Sequence, residues 1–167
     1  DVVSGDKFSK ANNKYNTYKK YGMQVVDKKD GHPVRAGNKS IRFEVRAGDC
    51  GQSNDFDDCA GNKERHELAG RKKFSRGTWW HAWSIYFPKD FINVYPTRVY
   101  IGQFYSEGPK YGDEHHPPWM FDNNKPGYWI NNMVRVPGGF QTQLLTREQM
   151  LGKWNDILIN VKWTNKD

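Results

Sequence analysis

The sequence lacks any apolar run approaching the ~18 residues that a membrane-crossing helix needs. It also lacks a Lys/Arg-rich amphipathic helix of the kind that lies on a bilayer, so no membrane partner is expected. Hydrophobic residues are sparse, at 36%. Acids are outnumbered, 19 Asp and Glu against 26 Lys and Arg, which leaves a net charge of +7. Such an excess attracts polyanions and speeds their encounter, and on charge alone nucleic acid and acidic polysaccharide both qualify. No helix-turn-helix, zinc-finger spacing or RNA-recognition signature is present, so nucleic acid is not the expected partner. Cysteine is nearly absent: the only two are Cys50 and Cys59, in "DCGQSNDFDDCAG". The short spacing and loop-like flanks read as one disulfide closing a loop, a link that would stabilise by roughly 2 to 3 kcal/mol. It implies an oxidising compartment, so the expected location is secreted, extracellular or periplasmic.

What the chain does have is aromatic residues, 15%, punctuated by 16 Gly and 8 Pro. Aromatics suit half-buried pleated surfaces while Gly and Pro interrupt helices, so the composition favours many short strands. At 167 residues the chain fits a single domain spanning 1–167, and a monomer is expected. It begins at Asp1 without methionine or an apolar signal segment, as after signal removal or trimming. It ends at Asn165-Lys166-Asp167, which reads as the start of a hairpin whose return strand is missing, so truncation at the C-terminus is expected.

Alternation marks the strands. In "SIRFEVR" (40–46), Ile41, Phe43 and Val45 share one face and Arg42, Glu44 and Arg46 the other. "TWWHAWSIYF" (78–87) aligns Trp83, Ile85 and Phe87; "RVYIGQFY" (98–105) sets Tyr100, Gly102 and Phe104 against Ile101, Gln103 and Tyr105. Further strands are expected in "GYWINNMVRV" (127–136) and "NDILINVKW" (155–163). One short helix fits "TREQMLG", where Thr146 and Gln149 make a capping box and Gly152 a left-handed stop. The expected class is an all-β jelly-roll sandwich with one short helix, in which one sheet face packs the core and the other can be concave and polar.

Several side chains are candidates for chemistry. In "ERHEL", Arg65 and Glu67 face one way on a strand and His66 the other, beside Leu68; His66 is as well read as a satisfied core histidine. Arg42 and Arg46 extend an anion-binding face or make an ordinary solvated one. Trp79, Trp80 and Trp119 could stack on sugar rings, although core packing is the favoured reading. In "YGDEHHPPW" the adjacent histidines do not match helical zinc spacing, and His115 is instead a candidate to reach substrate from a groove-edge loop. No cofactor is required; Asp55, Asp57 and Asp58 offer hard oxygen ligands for a possible structural calcium.

The motifs "SIRFEVR", "ERHEL", "WHAWSIYFPKDF", "IGQFY" and "GKWNDILINVKW" resemble, in that order, successive strands of jelly-roll polysaccharide lyases of the heparin lyase, glucuronan lyase and alginate lyase type, over most of residues 38 to 163. The resemblance implies a lyase that cleaves an acidic, uronate-containing polysaccharide by β-elimination. It implies that Arg65 and Gln103 bind and neutralise the uronate carboxylate, that Tyr105 or His66 moves the proton, and that Glu67 orients Arg65. Two departures stand out. Tyr105 occupies the position where the alginate lyase pattern has histidine, and no C-terminal tyrosine motif precedes Asp167. A non-catalytic carbohydrate-binding module on the same fold is the alternative. A glycoside hydrolase would need two facing carboxylates such as Glu44 and Glu67, and the flanking arginines oppose a raised pKa on either.

Overall fold

The structure is a computed structural model that describes residues 8–11, 19–51, 57–70, 76–105, 117–132 and 140–164. Its strands are β1 (Phe8–Ala11), β2 (Met23–Asp27), β3 (Lys39–Phe43), β4 (Glu67–Gly70), β5 (Gly77–Tyr86), β6 (Tyr100–Phe104), β7 (Trp119–Asp122), β8 (Tyr128–Asn132), β9 (Phe140–Leu145) and β10 (Trp154–Trp163). Among the described residues one α-helix, α1 (Arg147–Met150), follows β9, and a 3-10 turn covers Lys28–Asp30. The chain is all-β with one short helix, as expected of a β-sandwich class. Its strands pair as β1 with β4, β2 with β3, β5 with β10, and a four-stranded run β6-β7-β8-β9. The chain divides into two compact units, residues 1–81 with 159–167 and residues 82–158.

In the second unit the antiparallel run β6 to β9 places β7 and β8 in the middle. Phe121 on β7 is 2% exposed and meets Trp83 edge-on at 4.9 Å, Phe104 at 6.3 Å and Tyr128 at 6.1 Å between ring centroids. Phe87 packs on Phe91 at 5.1 Å and on Tyr128 at 5.5 Å. These rings form the core of this unit with Ile130 and Met150, which are also buried. Gly102 lies under the same cluster: a Cβ there would sit 3.7 Å from Phe121.

The two inner strands carry polar residues that have no route to water. Asp122 and Asn131 are buried, and the Asn131 Nδ2 donates to Asp122 Oδ2. Asn123, also buried, donates its Nδ2 to the carbonyls of Lys125 and Gly127 and so ties the β7–β8 turn from within. Burial pushes the Tyr128 phenol well above its ordinary pKa.

The helix forms as its sequence dictates. The Gln149 N–H donates to Thr146 Oγ1 at 3.2 Å and the Thr146 N–H donates to Gln149 Oε1 at 2.8 Å, a complete capping box. Gly152 takes the left-handed conformation at φ 71°.

Three sequence expectations shift. Strand β3 ends at Phe43, so the alternation through Val45 is not realised, and Phe43 and Val45 are 47% and 50% exposed. The cause is local: Glu44 is drawn between Arg42 and Arg46, both of which donate to its carboxylate. In β6 the register against β7 slips between Tyr100 and Gly102. The extra residue throws Tyr100 out of phase with Gly102 and Phe104, and it is 50% exposed. Trp80, read as core, is 68% exposed on β5.

Candidate active site

The first unit holds a connected cluster around Arg65. The chain reaches it through a loop closed by the Cys50–Cys59 disulfide, with Cα atoms 5.0 Å apart. Backbone bonds knit this loop to residues 63–65: Asp58 N–H to the Gly51 carbonyl at 2.8 Å, Lys63 N–H to the Asp58 carbonyl at 2.8 Å, and Arg65 N–H to the Asp49 carbonyl at 2.9 Å. Residues 63–66 are therefore fixed before β4 begins at Glu67.

Arg65 and Glu67 lie near each other and the His66 side chain is buried, although the strand expected to carry all three begins only at Glu67. The Arg65 side chain is 36% exposed; its Nη2 donates to Asp58 Oδ1 at 2.5 Å and its Nη1 lies 3.9 Å from Glu67 Oε2. The His66 side chain is 2% exposed, with Nε2 3.2 Å from Asp49 Oδ2. Asp49 in turn accepts from the Tyr21 hydroxyl at 2.6 Å and from the Arg46 N–H at 2.7 Å. Burial alone would raise the Asp49 pKa, but the hydrogen bonds from Tyr21, the Arg46 amide and His66 outweigh it and hold the carboxyl below its usual range. The bond to Asp49 is the main cause of the raised pKa of the Tyr21 phenol, because that proton is shared with an anion.

Arg42 and Arg46 converge on Glu44 rather than standing apart. Arg42 also donates to Gln24 Oε1 at 3.0 Å, and the Arg46 guanidinium lies 3.8 Å over the Tyr21 ring. Hydrogen bonds from Arg46 and then Arg42 hold the Glu44 carboxyl below its ordinary value. A group so disposed is a poor general acid, which disfavours the hydrolase alternative built on Glu44 and Glu67. The Arg42 and Arg46 side chains are 40% and 57% exposed, so both still present charge to solvent.

The second unit carries Gln103 and Tyr105. Gln103 lies on β6 opposite Met120 of β7 and is exposed, and Tyr105, one residue past the strand, is 61% exposed. Phe104 between them turns inward onto Phe121. His115 lies outside the described residues, as does Asp55. Asp57 Oδ1 accepts from the Ala60 N–H at 2.8 Å, a turn-closing contact, and Asp58 is committed to Arg65. Among the described residues no group of three or more His, Cys, Asp or Glu is placed to hold a metal ion, and no helix is long and apolar enough to cross a membrane.

Sequence reasoning missed Asp49 and Tyr21, and it offered Asp58 as a calcium ligand where the structure pairs it with Arg65. The signal available for the two aspartates was position: each immediately precedes a cysteine of the disulfide, so closing the loop brings both toward residues 63–67. Tyr21 gave no signal, because its partner is 28 residues away.

No curated protein and no solved structure matches the chain. A family model described as a polysaccharide lyase matches residues 7–167, nearly the whole chain, in keeping with the order of motifs along it. The chain belongs to the polysaccharide lyase family, whose activity is lyase cleavage of polysaccharides.

Proposed function

We propose that this polysaccharide lyase is secreted and cleaves an acidic, uronate-containing polymer by β-elimination. The observation that carries the reading is Arg65, a guanidinium fixed by a buried aspartate yet one-third open to solvent, on a chain of net charge +7. In β-elimination a base removes the C5 proton, and the electron pair left at C5 is delocalised into the adjacent carboxylate. It then forms the C4–C5 double bond as the C4–O4 bond breaks, and O4 leaves with a proton. A neutral sugar has no carboxylate to take up that charge, which is why a fixed cation is expected in the site.

In this reading Arg65 is a donor to the carboxylate, and Glu67 and Asp58 flank its guanidinium. Gln103 and Tyr105 keep the roles that the motif resemblance implies for them, amide donor and proton carrier, and both are exposed, as groups that must reach a substrate have to be. His66, whose side chain is 2% exposed, is assigned to holding the strand entry in place. Arg42 and Arg46 add positive charge for a polyanion, and the Cys50–Cys59 disulfide supports an oxidising location, extracellular or periplasmic.

The test is ultraviolet absorbance over time with glucuronan, alginate, heparin and hyaluronan. A rise from the conjugated double bond is expected with at least one of them. Arg65→Ala and Gln103→Ala, made separately, should each lower the rate by about a hundredfold or more. Flat traces on all four beside cleavage of a neutral polysaccharide would overturn the acidic-substrate reading.

A further inference from the structure

The Arg65 guanidinium touches two carboxylates, and they are unequal. Glu67 is 3.9 Å away with its side chain 32% exposed, whereas Asp58 is 2.5 Å away with its side chain 4% exposed. A buried carboxylate cannot relax into water, so its partner's geometry is the stiffer of the two. Asp58 is itself held by its backbone: its N–H donates to Gly51 and its carbonyl accepts from Lys63, each at 2.8 Å. Cys59 comes directly after it and is bonded to Cys50, which comes directly after Asp49. Asp49 then accepts the Arg65 N–H through its carbonyl and faces His66 Nε2 through its carboxylate. One covalent link thus ties together the two residues that hold Arg65, one at its backbone and one at its guanidinium.

We propose that Asp58 is a positioning residue for Arg65, and that the Cys50–Cys59 disulfide fixes Asp58 for that purpose. The catalytic consequence rests on the uronate-lyase reading above; the structural part does not. If Asp58 aims the guanidinium, losing its charge leaves Arg65 present but free to swing, and small displacements of a charge-stabilising group lower rates steeply.

Two measurements separate the possibilities. With a polyuronate that the wild-type protein cleaves, Asp58→Asn should lower kcat by roughly ten- to a hundredfold with little change in KM. The same substitution on an Arg65→Ala background should change kcat less than about twofold, because the two residues act as one unit. Equal losses on both backgrounds would overturn the proposal and leave Asp58 a merely structural residue. The second measurement does not depend on lyase activity: the 15N side-chain Nε–H signal of Arg65, assigned by its disappearance in Arg65→Lys. It should be slow to exchange in the wild type and become averaged in Asp58→Asn and in Cys50→Ser/Cys59→Ser. An Arg65 signal already as mobile as those of surface arginines, or unmoved by either variant, would overturn the proposal. A wild type inactive on every polyuronate, with that signal behaving as expected, would sink the substrate reading and leave the positioning intact.

Discussion

Asp49 in the first unit and Asp122 in the second are both carboxylates removed from water, 2% and 0% exposed, yet their pKa values move in opposite directions. Burial penalises the charged form of each. Asp49 answers with three donors: the Tyr21 hydroxyl at 2.6 Å, the Arg46 amide at 2.7 Å and His66 Nε2 at 3.2 Å. Asp122 has the Asn124 amide, a more distant Arg98 and the Asn131 side chain, and its Oδ1 is buried without a hydrogen-bond partner among the described residues. Burial therefore wins at Asp122 and raises its pKa, while at Asp49 the donors win. The difference separates a carboxylate kept charged to organise cationic and phenolic neighbours beside Arg65 from one tucked inside a sheet.

The comparison breaks most sharply at Asp49. Removing one partner of a buried, hydrogen-bonded charge costs about 3 to 5 kcal/mol, because Tyr21, His66 and the Arg46 amide lose their acceptor together. Asp49→Ala should accordingly lower Tm by about 10 °C at neutral pH. The sign with pH comes from the depressed pKa. The contribution is present above the ordinary aspartate value of about 4 and is lost as pH falls through the lower folded value. Thermal melts of wild type and variant should converge in acid; a gap independent of pH would mean that the charge of Asp49 is irrelevant.

A smaller effect tests whether the neighbourhood of Asp49 is as rigid as its bonds suggest. A Cβ on Gly22 would fall 2.4 Å from three atoms of the His66 ring, and that ring is held by Asp49. Since the imidazole cannot retreat without leaving the carboxylate, Gly22→Ala should cost about 1 to 3 kcal/mol, read as a shift in the denaturation midpoint. No loss would show that the ring is free to move, and the contrast with the interior of the second unit would weaken.

The two regions also differed in how far they could be read from sequence. Strands β5, β6, β8 and β10 and the capped helix were legible because alternation and capping are local patterns, and Trp83, Ile85, Val161 and Trp163 turn inward as their spacing indicated. Strand β7 was not legible: Trp119-Met120-Phe121-Asp122 lies between two neighbours, with Phe121 and Asp122 both buried, so no alternation exists to be seen. Strands β1, β2 and β9 were missed as well: β1 pairs with the sequence-distant β4, and burial along β2 and β9 follows no alternation. Arg65, Glu67 and His66 were singled out because charge beside an inward histidine is visible in five letters. Asp49 was not, and Asp58 was offered for a different role, because their contacts with Arg65 and His66 exist only once the disulfide loop has closed.

The last prediction has the smallest effect and the opposite sign. A raised carboxyl pKa means that the folded state holds its proton more tightly than the unfolded one. Stability is then unaffected well below pH 4, and it falls as pH rises from about 4 toward the folded value, where only the unfolded chain ionises freely. Asp122→Asn removes that ionisation while keeping an oxygen to accept from Asn131 Nδ2. Near pH 3 the variant should melt within a degree or two of the wild type. By pH 7 it should melt higher, by about 3 °C for each kcal/mol of ionisation cost removed. A variant that is instead destabilised as pH rises would mean that the Asn124 amide, Arg98 and Asn131 outweigh burial after all, and that Asp122 is kept charged as Asp49 is.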